Sequence, residues 1–333
     1  MSNIATFPKL LESWFTDRLM RQQRVSPNTI ASYRDAFRML LVFASRELGK
    51  TPSTLDLADI DAPLISDYLD DLEKHRSISA RTRNLRLTAI QSFFRFLAYE
   101  QPAHSAHIQR VLAVPGKRFS KKMIHFLERP EIEALLAVPD QATWIGRRDH
   151  ALLQLAIQTG LRLAEIISLD RSSIVLGQGS HVRCIGKGRK ERCTPLTRAV
   201  VRIMKAWLAE SQKSGDNALF QTIHGGRLSA DTVQYLVAKH VTVARTTCPS
   251  MRKKQITPHV LRHSAAMELL QAGVDSSVIA MWLGHESSQT TQMYLHAHMA
   301  LKEAALAKVA PLKAGESIYY QPEDQLLNFL TNL

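Results

Sequence analysis

A basic segment containing proline and glycine divides this 333-residue chain into two parts. The segment starts at Gln101-Pro102-Ala103-His104, passes through Val114-Pro115-Gly116 and ends in a cluster of cations, Lys117, Arg118, Lys121 and Lys122. Proline and glycine interrupt regular structure, and apolar periodicity is weak here. The sequence therefore predicts two domains, residues 1–104 and 125–333, joined by a basic linker over residues 105–124.

Positive charge is concentrated in the second part of the chain. The first 104 residues carry 14 basic and 12 acidic side chains, so most of the net charge of +13 lies beyond them. Such an excess suits a partner with dense negative charge, and nucleic acid is the commonest one. Composition alone also allows the alternative of a basic protein that binds no such partner.

The first domain is predicted to be a bundle of four helices. Apolar residues recur at helical spacing after Phe7, Ser26-Pro27, Asp61 and Ser79. Serine or aspartate before a segment, with proline at its first position, is typical of a helix start. The second and fourth of these helices offer polar and cationic faces that could enter a DNA groove, the alternative being a solvated helix face. The cations of the fourth helix include Arg81, Arg83 and Arg86.

The second domain is predicted to be mostly helical with one small β-hairpin, so the fold class is mainly α with a small sheet (α+β). The hairpin pairs His181–Ile185 with Glu191–Leu196 around a Gly186-Lys187-Gly188 turn. Helical periodicity marks the segments around residues 132–136, 150–159, 197–210, 230–240, 258–272 and 276–283.

Several common kinds of site are missing from the sequence. There is no Walker-type loop, no strand followed by GxGxxG, no CxxC pair and no HExxH motif. The acidic residues do not cluster as a two-metal nuclease requires. The sequence therefore predicts no metal and no cofactor.

The compartment is expected to be the cytoplasm. Cys184, Cys193 and Cys248 cannot form a disulfide framework, which favours reducing conditions. No signal peptide is visible at the first residues, and no run of about 18 apolar residues is present, so no membrane contact is expected.

Four segments of the second domain carry residues suited to phosphate chemistry. In Thr159–Glu165, glycine ends one helix and Arg162 opens the next, with Glu165 one turn on to hold it. The hairpin places Lys187 at its tip. In Pro258–His263, His259 and Arg262 share a helix face.

The fourth segment, Trp282–His285, is followed nine residues later by Tyr294. Each segment alone is more often a plain structural feature: a surface arginine, a turn, a solvated helix face or a core tyrosine. Their order and spacing together form a much stronger signal.

This set resembles the tyrosine recombinase (phage integrase) family, in the style of Xer-type resolvases and mobile-element integrases. The resemblance covers nearly the whole chain, including the Ser26-Pro27-x-Thr29-x-x-x-Tyr33 start in the first domain. Its most specific parts are Leu261–Ala266 and the spacing from Leu283-Gly284-His285 to Tyr294. It implies a helical DNA-binding domain with a SAM-like fold, followed by a catalytic domain.

The resemblance also implies a role for each residue. Tyr294 attacks a scissile DNA phosphate and forms a 3′-phosphotyrosyl link, without ATP or metal. Arg162 and Arg262 hold the non-bridging oxygens. Lys187 is the general acid for the leaving 5′-oxygen, with Lys190 as the fallback.

Of the remaining residues, His259 is a general base or hydrogen-bond partner, and His285 hydrogen-bonds the phosphate. Glu165 supports the cations of the site. DNA contacts are expected from Arg81, Arg83, Arg86, Lys117, Arg118, Lys121, Lys122, Arg189 and Lys190.

The implied partner is double-stranded DNA, held as two duplexes by a homotetramer, with an accessory or partner recombinase as an open addition. An apolar stripe over residues 326–333 is expected to dock on the neighbouring protomer, the alternative being that it folds back on its own domain. Integration, excision and resolution all remain open. The rival functions are a type IB topoisomerase-like relaxing enzyme, a DNA-binding protein without catalysis and a metal-dependent nuclease.

Overall fold

The chain separates into two units whose boundary lies between Lys121 and Lys122. The computed structural model describes residues 6–120, 124–186, 188, 190–210, 216–285 and 294. Several predicted features lie outside these residues: the C-terminal stripe over residues 326–333 and the cations Lys121, Lys122, Lys187 and Arg189.

The first unit contains five α-helices in the described residues. They are α1 (Phe7–Ser13), α2 (Pro27–Leu48), α3 (Ala62–Arg76), α4 (Ala80–Glu100) and α5 (Ser105–Leu112), and α1 continues as a π-helix over Trp14–Gln22. The four predicted helices are present, and α5 is an addition.

Capping side chains set the starts of the longer helices. Ser26, Asp61 and Ser79 each accept a hydrogen bond from the backbone N–H three residues later. The core between the helices is strongly aromatic, with the Trp14 and Phe93 ring centroids 5.4 Å apart. Burial of such large side chains supplies most of the stabilisation of a small bundle.

The predicted linker over residues 105–124 begins with a helix in the structure. Residues Ser105–Leu112 form α5, which packs on α3 and α4 through the fully buried Ile108 and Val111. The chain then stays on α4, because the Asn84 side chain exchanges two hydrogen bonds with the backbone of Lys117. A helix of eight residues with two core positions, flanked by prolines, has too weak a periodicity to stand out in the sequence.

The second unit is mostly helical and holds one small sheet. Its helices are α6 (Arg129–Leu136), α7 (Trp144–Thr159), α8 (Leu163–Ser168), α9 (Arg198–Ala209), α10 (Ala230–Thr247), α11 (Pro258–Gln271) and α12 (Ser276–Leu283). The strands are β1 (Ile174–Val175), β2 (His181–Ile185) and β3 (Glu191–Pro195). The predicted helices and hairpin are confirmed, and β1 is an addition.

The sheet is antiparallel with the order β1-β2-β3. In the hairpin, Val182 lies opposite Thr194 and Cys184 opposite Arg192. Val182, Cys184 and Thr194 are buried, so this face of the hairpin turns toward the core and carries Arg192 with it. The exposed face includes Arg183 and Cys193.

Two hydrophobic clusters position the site. The larger is built around α7, with Leu153 and Leu155 fully buried, and receives α9, α10 and the sheet. A smaller one, formed by α11 and α12, contains Met267, Leu283 and Tyr294. Among the described helices, none is long and apolar enough to cross a membrane.

Candidate functional site

Arg162 is fixed at the start of α8 by the carboxylate of Glu165. The Arg162 backbone N–H donates to Glu165 Oε2 at 2.7 Å, and its Nη1 donates to Oε1 at 3.0 Å. The preceding turn needs Gly160, which ends α7 at φ +62°. A Cβ there would also lie only 2.6 Å from the Leu283 side chain.

Arg262 enters the same place from α11. Its side chain is buried, and it donates to the carbonyl of Gly160 at 2.5 Å and to that of Leu283 at 2.7 Å. Burial, together with the nearby Arg162 guanidinium, lowers the pKa of Arg262 to about 10. Arg262 nevertheless remains charged at neutral pH.

The two guanidiniums meet at the C-terminal end of α12. Arg162 Nη2 donates to the carbonyl of Gly284 at 2.9 Å, next to the Leu283 carbonyl that binds Arg262. Two like charges held this close repel each other, and an anion between them would relieve that repulsion. The arrangement is suited to bind a phosphate through bidentate hydrogen bonds.

Glu165 has a second arginine partner, which the sequence does not assign to the site. Nη1 and Nη2 of Arg192, on β3, donate to Oε1 and Oε2 of Glu165, both at 2.8 Å. Burial alone would raise the pKa of Glu165, but the hydrogen bonds from Arg192 and Arg162 outweigh it and leave this pKa below its ordinary value. Side chains alternate between the two faces of a strand, so the sequence of β3 could have indicated that Arg192 points inward together with Thr194.

Tyr294 lies in the smaller cluster with 1% of its surface exposed. Its Oη shares a 2.9 Å hydrogen bond with Nδ1 of His263. Burial raises the pKa of Tyr294 to about 12, although the nearby Arg262 and Arg162 oppose this rise. The phenol is therefore protonated and covered in this conformation.

Two histidines, His263 and His285, lie against the phenol, and a third, His259, lies against His263. The His285 ring stacks on Tyr294 at 6.2 Å between centroids, and the His259 ring meets His263 edge-on at 4.4 Å. Burial and the neighbouring cations, Arg262 first among them, lower the pKa of His285 to about 4.

The pKa of His263 is also lowered to about 4, mainly by burial and secondly by the neighbouring His259. Both rings are thus neutral at pH 7. His259 is exposed, and the hydrogen bond to the phenol comes from His263, which the sequence shows only as part of a motif.

Of the predicted hairpin cations, only Lys190 lies within the described residues. Its carbonyl accepts from the Gly186 backbone at 2.8 Å and closes the turn, while the residue itself is exposed. Lys187 and Arg189 lie outside the described residues, so their roles stay predictions.

The predicted DNA contacts of the first unit divide into exposed and buried side chains. Arg81 and Arg118 are exposed. Arg86 donates to the Ser32 carbonyl at 3.2 Å, and Lys117 pairs with Glu73 while remaining half exposed.

Arg83, one of the predicted DNA contacts, is turned into the first unit. Its side chain is 7% exposed, with Nε 3.4 Å from the Glu73 carboxylate. Arg83 lies on the stripe of α4 that also buries Leu87 and Ile90, and this spacing was readable in the sequence. The residue ties α4 to α3 instead.

Metal ligation is not suggested by the described residues. Among them, no group of three or more His, Cys, Asp or Glu side chains is arranged to hold an ion.

Two family models match the chain. The model of the phage integrase family matches residues 125–300, and the model of the phage integrase N-terminal SAM-like domain matches residues 13–101.

Individual relatives match over most of the length. The "Putative integrase/recombinase y4rC" of Sinorhizobium fredii is 56% identical over 333 residues, covering 100% of both chains. Tyrosine recombinase XerC of Pelotomaculum thermopropionicum is 34% identical over 285 residues, covering 83% of this chain and 89% of XerC.

Among solved structures, XerH site-specific recombinase bound to its palindromic difH substrate in a post-cleavage complex superposes with a TM-score of 0.68 at 22% identity. The match covers 85% of this chain and 80% of XerH. At this identity, the likeness establishes a shared fold.

Proposed function

Since this chain belongs to the phage integrase family of tyrosine recombinases, we propose that Tyr294 is the nucleophile with which it cuts and rejoins DNA. The family places the chain among the site-specific recombinases, enzymes that break and rejoin DNA strands.

One observation supports this assignment above all others. Segments far apart in the sequence bring Arg162, Arg262 and the stacked pair of His285 and Tyr294 to the end of α12. A binding protein has no need for a tyrosine beside two convergent guanidiniums, whereas phosphoryl transfer to a phenol needs both.

In the proposed step, Oη of Tyr294 forms a bond to the scissile phosphorus while the bond from phosphorus to the 5′-oxygen breaks. The phenolic proton passes to His259, and the leaving oxygen takes a proton from Lys187 and becomes a 5′-hydroxyl. The product is a 3′-phosphotyrosyl link. Attack by another strand's 5′-hydroxyl on this link rejoins the DNA, so ATP is not required.

Arg162 and Arg262 would stabilise the extra negative charge of the transition state. Their guanidiniums already stand together before DNA arrives, and such preorganised donors cost little reorganisation during the reaction. His285 would donate to the same phosphate, and His259 would act in proton transfer at the exposed edge of the site.

The covered position of Tyr294 adds a requirement. A phenol with 1% exposure cannot reach a DNA phosphate, so the ring has to be uncovered and its hydrogen bond to His263 given up when the duplex binds. The enzyme would thus be inactive off DNA.

The proposed partner is double-stranded DNA, with four protomers holding two duplexes. XerH is bound to difH DNA in its solved complexes, and the neighbouring λ integrase structure is a dimer on a core site. The proposal includes action in the cytoplasm, consistent with three unpaired cysteines in the described residues. Integration, excision and resolution would share the same cleavage chemistry.

A nicked suicide substrate tests the nucleophile. On it, the wild-type protein should accumulate a covalent protein–DNA complex, because the cleaved fragment diffuses away before religation. Tyr294→Phe should bind the same DNA and form no covalent complex. Tyr235→Phe, at an exposed tyrosine of α10, is the matched control and should trap normally.

Trapping by Tyr294→Phe would move the nucleophile elsewhere, with Tyr320 next to test. A plasmid with two target sites separates the remaining rival, since a topoisomerase-like enzyme would relax it without exchanging strands.

A further inference from the structure

Arg192 is held where the hairpin meets the phosphate-binding arginines. Its side chain is 13% exposed and makes a two-pronged contact with Glu165, Nη1 to Oε1 and Nη2 to Oε2. The arginine reaches this place because Cys184, its partner across the hairpin, faces the core. The position of Arg192 is therefore fixed by the pleat of β3 and by a carboxylate on α8.

Glu165 is shared between two arginines. Each of its oxygens accepts one hydrogen bond from Arg192 and one from Arg162: Oε1 from the Arg162 guanidinium and Oε2 from the Arg162 backbone. With 3% exposure and four donors, this carboxylate has a single well-defined orientation. Loss of the Arg192 fork would leave the Glu165 side chain free to turn, and the hydrogen bond that aims Arg162 would loosen with it.

The Arg192 guanidinium also touches both neighbouring loops. A Cβ at Gly284 would lie 2.9 Å from its Nη1, and a Cβ at Gly186 would lie 3.0 Å from the same atom. Gly284 supplies the carbonyl that binds Arg162 and precedes His285. Gly186 is the described residue directly before the hairpin tip. The guanidinium thus fills the space between three segments that each carry part of the site.

We propose that Arg192 is a positioning residue, which acts through Glu165 to aim Arg162 at the scissile phosphate and anchors the base of the hairpin to the same point. The proposal rests on the function given above, in which Arg162 contacts that phosphate. Lysine should replace Arg192 only in part, because an ammonium lacks the planar fork that reaches both oxygens of Glu165 and fills the gap beside Gly284.

The first test compares Arg192→Gln and Arg192→Lys with wild type in covalent trapping on the suicide substrate, at protein concentrations that saturate the DNA. We expect trapping to slow by roughly 100-fold in Arg192→Gln, the size expected when a reacting group is misplaced by about 1 Å. Arg192→Lys should fall between Arg192→Gln and wild type, and DNA affinity should stay near the wild-type value. Arg183→Gln, on the exposed face of the same hairpin, is the matched control and should trap at the wild-type rate.

A second readout separates positioning from general damage to the fold. In a substrate with a methylphosphonate at the scissile position, the phosphorus centre carries no negative charge, so the aim of Arg162 matters less. The gap between Arg192→Gln and wild type should shrink on this substrate, as it should for Arg162→Lys. An equal loss on both substrates would overturn the proposal.

The double variant gives a result that does not depend on the modified substrate. If Arg192 acts through Arg162, then Arg162→Lys combined with Arg192→Gln should trap at close to the rate of Arg162→Lys alone. If the two substitutions instead reduced the trapping rate by independent factors that multiply, the proposal would be contradicted. Should Arg192→Gln fold poorly, Arg192→Lys serves in the same comparison. Failure of the proposed function is recognised separately, because the wild-type protein would then form no covalent complex.

Discussion

Buried arginines occur in both units, but their charges are balanced differently. In the first unit, Arg83 pairs with Glu73, and Lys117 adds a second contact to Glu73 and lies 4.0 Å from Asp70. Two cations there face two carboxylates. A buried or half-buried charge needs such a partner, because removal from water is costly.

The second unit holds an excess of positive charge. In the part of the chain that the structure describes, three guanidiniums (Arg162, Arg192 and Arg262) gather around one carboxylate, that of Glu165. Arg262 itself is bound by backbone carbonyls, which satisfy its donors without neutralising it. This imbalance supports the proposed anion site, whereas the balanced cluster around Arg83 is suited to join two helices.

Removal of one arginine from each cluster tests whether the two clusters differ in function. Arg162→Ala or Arg262→Ala should each remove on the order of 3 kcal/mol of transition-state stabilisation, by analogy with lost oxyanion donors. Arg83→Met should leave the chemical step unchanged. The measurement is the rate of covalent trapping on the suicide substrate at saturating protein.

Filter binding at equilibrium provides the control, since all three variants should still bind duplex DNA. A similar loss of cleavage rate in Arg83→Met would show that burial and charge balance do not distinguish a structural arginine from a functional one.

The same comparison shows what the sequence could and could not predict. Helix starts such as Ser26-Pro27 and the Gly-Lys-Gly hairpin depend on residues adjacent in the sequence, so they could be predicted from it. The order of the site motifs likewise pointed to Tyr294. The partners of Arg83 and Arg192 lie 10 and 27 residues away, on α3 and α8. Only the packed fold brings these partners together.

A second prediction concerns Lys187, the proposed proton donor. Lys187→Ala should slow trapping strongly on an ordinary substrate, because the leaving 5′-oxygen then lacks a proton. A 5′-bridging phosphorothiolate should restore most of the rate, since a sulfur leaving group departs without one. Lys190→Ala, the neighbouring variant, should behave like wild type on both substrates. Rescue of Lys190→Ala in place of Lys187→Ala would reassign the acid.

The smallest expected effect is on stability, and it comes from the histidine that holds Tyr294. The pKa of His263 falls from 6.5 to about 4 on folding. Between these values the unfolded chain binds a proton that the folded chain does not, so the free energy of unfolding should decrease as the pH falls from about 6.5 to 4. At the centre of this window, His263 should contribute a slope approaching about 1.4 kcal/mol per pH unit.

Urea titrations followed by tryptophan fluorescence measure this slope, because three of the four tryptophans (Trp144, Trp207 and Trp282) lie in the second unit. His263→Gln removes the titrating group, so its stability should depend less on pH than that of wild type, although glutamine also weakens the contact with Tyr294. The two stability curves should therefore lie furthest apart near pH 7 and converge toward pH 4. Parallel curves would mean that His263 gains its proton as easily in the folded protein as in the unfolded chain, which a buried ring beside Arg262 should not do.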